Sequence, residues 1–384
     1  QIVVRESCMG GYVIMHTLVA PEKFGSKRSK GKVMKLEDLA EKISRETDIP
    51  LCGRDVERVV AALLKTSVFW HVVEHSEEPV PVVASTLRLL QEMGLVETAE
   101  DALVFTPNGR DFVAENGICV PMNHVCQRCL GRTVVNDAFD EALGLFKSVQ
   151  EKRPKPLRIF DQAFVTPETT FARIALADAR GDIRGKEIVV LGDDDLVALA
   201  LAITRLPKTV TILEIDGRII SFQEEQARKL EIGNLRVKRH DLRKPLPEDI
   251  IGKFDVFFCD PPETVAAFDA FIGRGALSLK GPGSAGYFGI TTAESSFSKW
   301  KALQESLIAR GFVITDLIRR FNEYENWDYA EEMRAWEMAP IKIRPEENWY
   351  RSAMFRVELV EKTEISNDDL TDREIYNDQE SSTV

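Results

Sequence analysis

The segment Ile188-Val-Val-Leu-Gly192-Asp193-Asp194-Asp195-Leu196 constrains the fold more than any other stretch of this chain. A short β-branched run stops at a glycine, and a helical pattern from Leu196 to Leu206 follows. That is the strand–turn–helix unit of a parallel sheet, and ligands of nucleotide type sit outside such a turn. A pyrophosphate there needs G-x-G-x-x-G, because bare backbone must approach it. Here one glycine is followed by three carboxylates, which repel phosphate. NAD, FAD and the phosphates of ATP are excluded from this turn.

The same alternation extends over the second half of the chain. Apolar runs Ile188–Leu191, Val210–Leu213, Val256–Cys259 and Tyr287–Ile290 are short and separated by helical stretches. They predict a parallel sheet with crossover helices, completed by Val313–Ile318 and Ala353–Leu359 as an antiparallel edge pair. The second strand ends Glu214-Ile-Asp216, where an acid can hold ribose hydroxyls. Asp241 follows the Leu235–Lys238 strand, where an adenine amino group could be held. Gly192, Glu214, Asp216 and Asp241 are thus the expected nucleoside contacts of an α/β, Rossmann-like domain of S-adenosylmethionine type. An amino-acid carboxylate beside Asp193, Asp194 and Asp195 would be repelled by about 4 kcal/mol per pair at ~4 Å and an effective dielectric near 20. A cofactor arm bearing only an ammonium would be attracted. This points to decarboxylated S-adenosylmethionine as co-substrate. The competing reading is that an aspartate only caps the following helix.

Phe257-Phe258-Cys259-Asp260-Pro261-Pro262-Glu263 ends the fourth strand. It is similar to the Asp-Pro-Pro-aromatic motif of amino-methyltransferases, in which the aromatic stacks on a flipped base. Glu263 replaces that aromatic, which favours a non-aromatic, cationic amine. Asp161-Gln162 could border the pocket, and Phe321–Trp327 could cover it, with Tyr324 or Trp327 against an alkylammonium. His240 is expected to be structural or exposed.

Three helical patterns (Leu36–Ile43, Val56–Leu63, Val82–Met93, the last closed by Gly94) and a small hairpin predict a winged-helix-like unit ahead of the catalytic domain. Residues 35–116 hold eight Lys/Arg against sixteen Asp/Glu, the wrong sign for phosphate contacts, so no nucleic acid partner is expected. Cys119, Cys126 and Cys129 follow as C-x6-C-x2-C, either a zinc or iron site or a reduced cysteine loop. The expected organisation is a mobile extension over 1–33, the winged-helix-like unit with its cysteines over 34–134, a helix and linker over 135–156, and the catalytic domain over 157–360. An acidic tail with eight Asp/Glu and two Lys/Arg over 361–384 is expected to be disordered. With 384 residues, a net charge of −12, no signal-peptide pattern and no long apolar run, a cytoplasmic enzyme off the membrane is expected, with a homodimer left open.

The Gly192-Asp-Asp-Asp195 and Asp260-Pro-Pro-Glu263 motifs, with Asp161-Gln162 and Cys126-x-x-Cys129, together resemble the branched-chain polyamine synthases over residues 34–357. The resemblance implies a winged-helix-like domain, a Rossmann-like catalytic domain, and successive aminopropyl transfer from decarboxylated S-adenosylmethionine to the central nitrogen of spermidine. In that reaction a secondary amine attacks the carbon beside the sulfonium and methylthioadenosine leaves. Asp194 or Asp260 is expected as general base, with Asp193, Asp195, Glu263, Asp161, Gln162 and Tyr324 binding substrate. The rival reading is an S-adenosylmethionine-dependent amino-methyltransferase acting on nucleic acid.

Overall fold

The computed structural model describes residues 35–383, so the extension expected over 1–33 lies outside the described residues. The N-terminal part is helical: α1 (Leu36–Thr47), α2 (Gly53–Leu63), α3 (Phe69–Ser76) and α4 (Val80–Glu92). An antiparallel hairpin of β1 (Val96–Ala99) and β2 (Ala102–Phe105) follows, closed by α5 (Pro107–Glu115). Spacing of Val56, Val59, Val60 and Leu63 puts them on one buried face of α2. Each such side chain contributes roughly 1.5–3 kcal/mol on burial. Gly94 takes φ +66° and ends α4, as the pattern predicted. Helix α3 was not foreseen, because its eight residues are too short to show a helical period.

After α6 (Asp140–Gln150) and α7 (Pro167–Ala179) comes a seven-stranded sheet. Its strands are β3 (Glu187–Leu191), β4 (Thr209–Glu214), β5 (Leu235–Arg239), β6 (Val256–Cys259), β7 (Ala285–Thr291), β8 (Phe312–Glu323) and β9 (Arg351–Leu359). The helices α8 (Val197–Ile203), α9 (Gly217–Lys229), α10 (Val265–Ser278) and α11 (Phe297–Ala309) lie between strands, and the short α12 (Arg334–Met338) precedes β9. The spatial order is β5-β4-β3-β6-β7-β9-β8. Pairing is parallel from β5 to β7, while β9 runs antiparallel to both neighbours. Strand β3 is buried on both faces. Ile188 and Val190 pack with the α6–α8 side, and Val189 and Leu191 with α10 and α11. That double burial explains its unbroken apolar run.

Chain order reverses at β3, which has β4 on one side and β6 on the other. Leu191 pairs with Leu213 and with Cys259, so Gly192, Glu214 and Asp260 emerge at one level around a switch-point crevice. The N-terminal helices share a core with Val165, Tyr324, Trp327, Trp349 and Tyr350. The Trp70 ring lies tilted against Trp349, with ring centres 4.8 Å apart, and Trp70 donates to the Ile343 carbonyl at 2.7 Å. The helices therefore brace the segment that walls the crevice.

Residues 361–383 differ from the expected disordered tail. They lie along the catalytic unit: Leu370 N donates to the Arg243 carbonyl at 2.7 Å, Thr264 Oγ1 to the Ile375 carbonyl at 2.7 Å, and Lys299 pairs with Asp378 at 2.8 Å. Composition overstated the self-repulsion, because these acids and carbonyls find Lys299 and Arg274, which are buried where the tail meets the domain. Among the described residues no helix is long and apolar enough to cross a membrane.

Candidate active site

A cleft opens at the switch point. Gly192, Asp194, Glu214, Asp241, Asp260 and Glu263 line it from the strand ends, and Asp161, Gln162 and Tyr324 complete the wall. Gly192 holds φ +69°, a region where a side chain is strained, and a Cβ there would meet the Phe271 ring at 3.4 Å. The turn can therefore run tight beneath a ligand.

The three consecutive aspartates separate in role. Asp193 turns inward: its carboxylate accepts from Val197 N at 2.6 Å, Ala198 N at 3.1 Å and Gln223 Nε2 at 2.8 Å. It caps α8 and does not line the cleft, so the expected clamp on substrate is not available to it. Asp195 is also turned away. It accepts from Val165 N and from Arg173 Nη1, each at 2.7 Å. Burial lifts its carboxyl to about 6 although Arg173 opposes the shift. Asp194 alone of the three faces the cleft. One of its oxygens accepts from Ala163 N at 2.9 Å. Burial, then the charges of Asp195, Glu214 and Asp260, push its carboxyl well above the ordinary range.

Asp260 Oδ2 accepts from Arg173 Nη2 and from the Tyr324 hydroxyl, each at 2.7 Å. Glu263 accepts from Thr291 N at 3.3 Å, and its carboxyl is raised by burial and by Glu294 and Asp161. Asp161 stands at φ +53° and accepts from Thr383 Oγ1 at 3.2 Å; burial and Glu294 raise it too. Gln162 joins the linker to the sheet, donating to Asp216 Oδ2 at 3.1 Å while its carbonyl accepts from Trp327 Nε1 at 3.1 Å.

On the nucleoside side, Glu214 accepts from the backbone of Asp193, Ile215 and Asp216 at 2.7–2.8 Å. Of the two acids expected for ribose, Glu214 lines the cleft and Asp216 does not. Asp216 caps α9 and pairs with Arg218 at 2.6 Å. Asp241 lines the cleft; burial works to raise its carboxyl, but Arg243 at 2.8 Å holds it below the usual range. His240, read from sequence as structural or exposed, lines the cleft as well.

Sequence reasoning missed Arg173, Glu294, Tyr350 and Thr383. Arg173 belongs to no motif and reaches Asp195 and Asp260 only because α7 packs against α6, α8 and β8. Glu294 follows the end of β7, so its position past a strand terminus was a usable signal. Its carboxylate accepts from Tyr350 OH at 2.5 Å and Thr383 N at 2.8 Å.

The metal site expected at Cys119, Cys126 and Cys129 is not supported. Among the described residues no group of three or more His, Cys, Asp or Glu side chains is placed to hold an ion. Cys126 faces Cys129 and the N–H of Arg128 across a tight turn, whereas Cys119 lies by Arg54. Two converging thiols on an exposed loop fall short of a structural metal shell.

A family model described as the branched-chain polyamine synthase A C-terminal domain matches residues 141–383. The chain belongs to the branched-chain polyamine synthase family. It is 46% identical over 351 residues to the N(4)-bis(aminopropyl)spermidine synthase of Thermococcus kodakarensis, covering 91% of this chain and all of that one. The enzyme of the same name from Methanocaldococcus jannaschii is also 46% identical over the same coverage. A solved structure of the branched-chain polyamine synthase from Thermus thermophilus, in complex with N4-aminopropylspermidine and 5'-methylthioadenosine, matches with a TM-score of 0.84 and 40% identity. That match covers 91% of this chain and 98% of the solved one. The acidic cleft is therefore the one in which this synthase family's chemistry is to be sought.

Proposed function

We propose that this chain transfers aminopropyl groups from decarboxylated S-adenosylmethionine to the central nitrogen of spermidine, giving N(4)-bis(aminopropyl)spermidine and methylthioadenosine. The observation that carries the reading is the cleft wall. At a nucleoside-type switch point it presents Asp194, Asp260, Glu263 and Asp161, and its one lining arginine, Arg243, is held by Asp241. Such a wall attracts a sulfonium and alkylammoniums and repels an amino-acid carboxylate.

The step balances without a covalent enzyme intermediate. The amine lone pair forms a C–N bond, the C–S pair returns to sulfur, and the amine proton must leave. Asp194 is the reading for the base, since it faces the cleft with a carboxyl already pushed towards holding a proton. Cationic ligands counter the repulsion among these acids, so polyamine binding favours the ionised form that can accept. Asp260, tied to Arg173 and Tyr324, serves as a fixed anion beside the reacting carbon. Glu263 and Asp161 suit the terminal ammoniums. Glu214 and Asp241 suit ribose and adenine.

The four helices and hairpin are read as a winged-helix-type module whose acidic surface and shared core fit bracing rather than DNA contact, in a cytoplasmic enzyme. Mass spectrometry of spermidine incubated with the decarboxylated cofactor tests the proposal. Products heavier by one and two aminopropyl units are expected. Transfer of methyl from the carboxylated cofactor, with no aminopropyl product, would replace it by the methyltransferase reading.

A further inference from the structure

Arg173 is 3% exposed, and its guanidinium spends all three arms on the two acidic motifs and the sheet beside them. Nη1 donates to Asp195 Oδ2 at 2.7 Å, Nη2 to Asp260 Oδ2 at 2.7 Å, and Nε to Asn322 Oδ1 at 2.8 Å. Asn322 in turn donates to Ser352 Oγ at 2.8 Å. The other oxygen of Asp260 rests over Gly289, where a Cβ would come within 2.4 Å of it. Asp260 is thus fixed from three sides: a forked cation, the Tyr324 hydroxyl, and a strand position with no side chain.

We propose that Arg173 is a positioning residue for aminopropyl transfer: it pins Asp260 at the cleft wall, holds Asp195 out of the cleft, and so leaves Asp194 as the acid free to meet the amine. The inference rests on the transfer reading and adds a residue that no motif marks. A planar fork binds two carboxylates in fixed directions, which an ammonium cannot do. The charged or titratable groups facing Arg173 are Asp195 from the β3 turn, Asp260 and Cys259 from β6, Tyr324 after β8, and Arg132 from the segment before α6. Remove the guanidinium and a buried carboxylate, Asp195, and a partly buried one, Asp260, are left without their shared counter-ion. One must then take up a proton near neutral pH.

The test compares wild type with Arg173→Gln, Arg173→Lys and the double variant Arg173→Gln/Asp195→Asn. Each is assayed for kcat and KM against pH, and for protons released on spermidine binding, by calorimetry in buffers of different ionisation enthalpy. Arg173→Gln is expected to lower kcat about 100-fold at pH 7, with the acid limb about one unit higher. It should also release about one more proton on spermidine binding than wild type. Removing the surplus charge in the double variant restores about tenfold of the loss. Arg173→Lys, the variant to use should the glutamine form not fold, keeps the charge but not the fork and loses about tenfold. Wild-type kcat and pH profile in the single variants would overturn the proposal. So would an equal loss at every pH that the double variant does not relieve, since that is what a mere packing role predicts. A wild type that makes no aminopropyl product sinks the transfer reading instead, and the proton count still decides whether Arg173 governs this acid pair.

Discussion

Changing Tyr324 to Phe removes one oxygen from the wall of the cleft and almost nothing else. The ring is 4% exposed and meets Tyr350 edge-on at 5.2 Å, a contact that Phe keeps. The hydroxyl donates to Asp260 Oδ2 at 2.7 Å and lies 3.0 Å from Ser352 Oγ. Ser352 retains Asn322, so the substitution orphans only one lone pair on Asp260. A hydrogen bond to a charged acceptor contributes roughly 1.5–3 kcal/mol, which is about 10–150-fold in rate if it is expressed in the transition state. The assay is kcat/KM for aminopropyl transfer to spermidine, together with methylthioadenosine affinity by calorimetry. The expected result is a fall within that range in kcat/KM, with nucleoside affinity within about threefold, since Glu214 and Asp241 lie elsewhere in the cleft. A rate change below about twofold would refute the argument that Asp260 acts as an oriented anion. A loss confined to nucleoside affinity would show that Tyr324 serves the wrong end of the cleft.

Three further outcomes are expected. The carboxylated cofactor should bind about 10²–10³-fold more weakly than the decarboxylated one, the full Coulomb figure of about 4 kcal/mol being reduced because water reaches the cleft mouth and Asp194 is only partly buried; Asp194→Asn should narrow that gap, and equal affinities in the wild type would contradict the charge argument. Gly192→Ala should destabilise the protein by about 1–2 kcal/mol in urea unfolding, the cost of an alanine at φ +69°; an unchanged midpoint would show that the turn relaxes. Asp195 is raised in the folded protein to about 6, above the ordinary aspartate value of about 3.9, so folding takes up a proton between those pH values and stability falls as pH rises through that window. The full contribution is about 3 kcal/mol, and the wild-type-minus-Asp195→Asn difference in unfolding free energy should slope there and be level above about pH 7; a flat difference would show that Arg173 cancels the burial.

Local pattern and charge carried much of this protein on their own. The run Ile188–Leu191 is apolar at every position because both faces of β3 are covered, so a buried parallel strand could be read without partners. Gly192 with its three aspartates, and Asp260 with Glu263, announced an anionic switch-point crevice, since strand-end positions face a ligand whatever the helices do. Which acid faces that ligand was not readable. Successive residues in a tight turn point in directions set by the backbone, and only the packing of α7 and α8 sends Asp195 to Arg173 and Asp193 into a helix terminus. The tail shows the same limit: its composition carries eight acids, yet their energy depends on Lys299 and Arg274, which lie far away in sequence. Sequence decides what a short segment can be, because propensity and charge are local. Tertiary structure decides which groups lose water together, and that loss of water sets the charge and direction of every acid in this cleft.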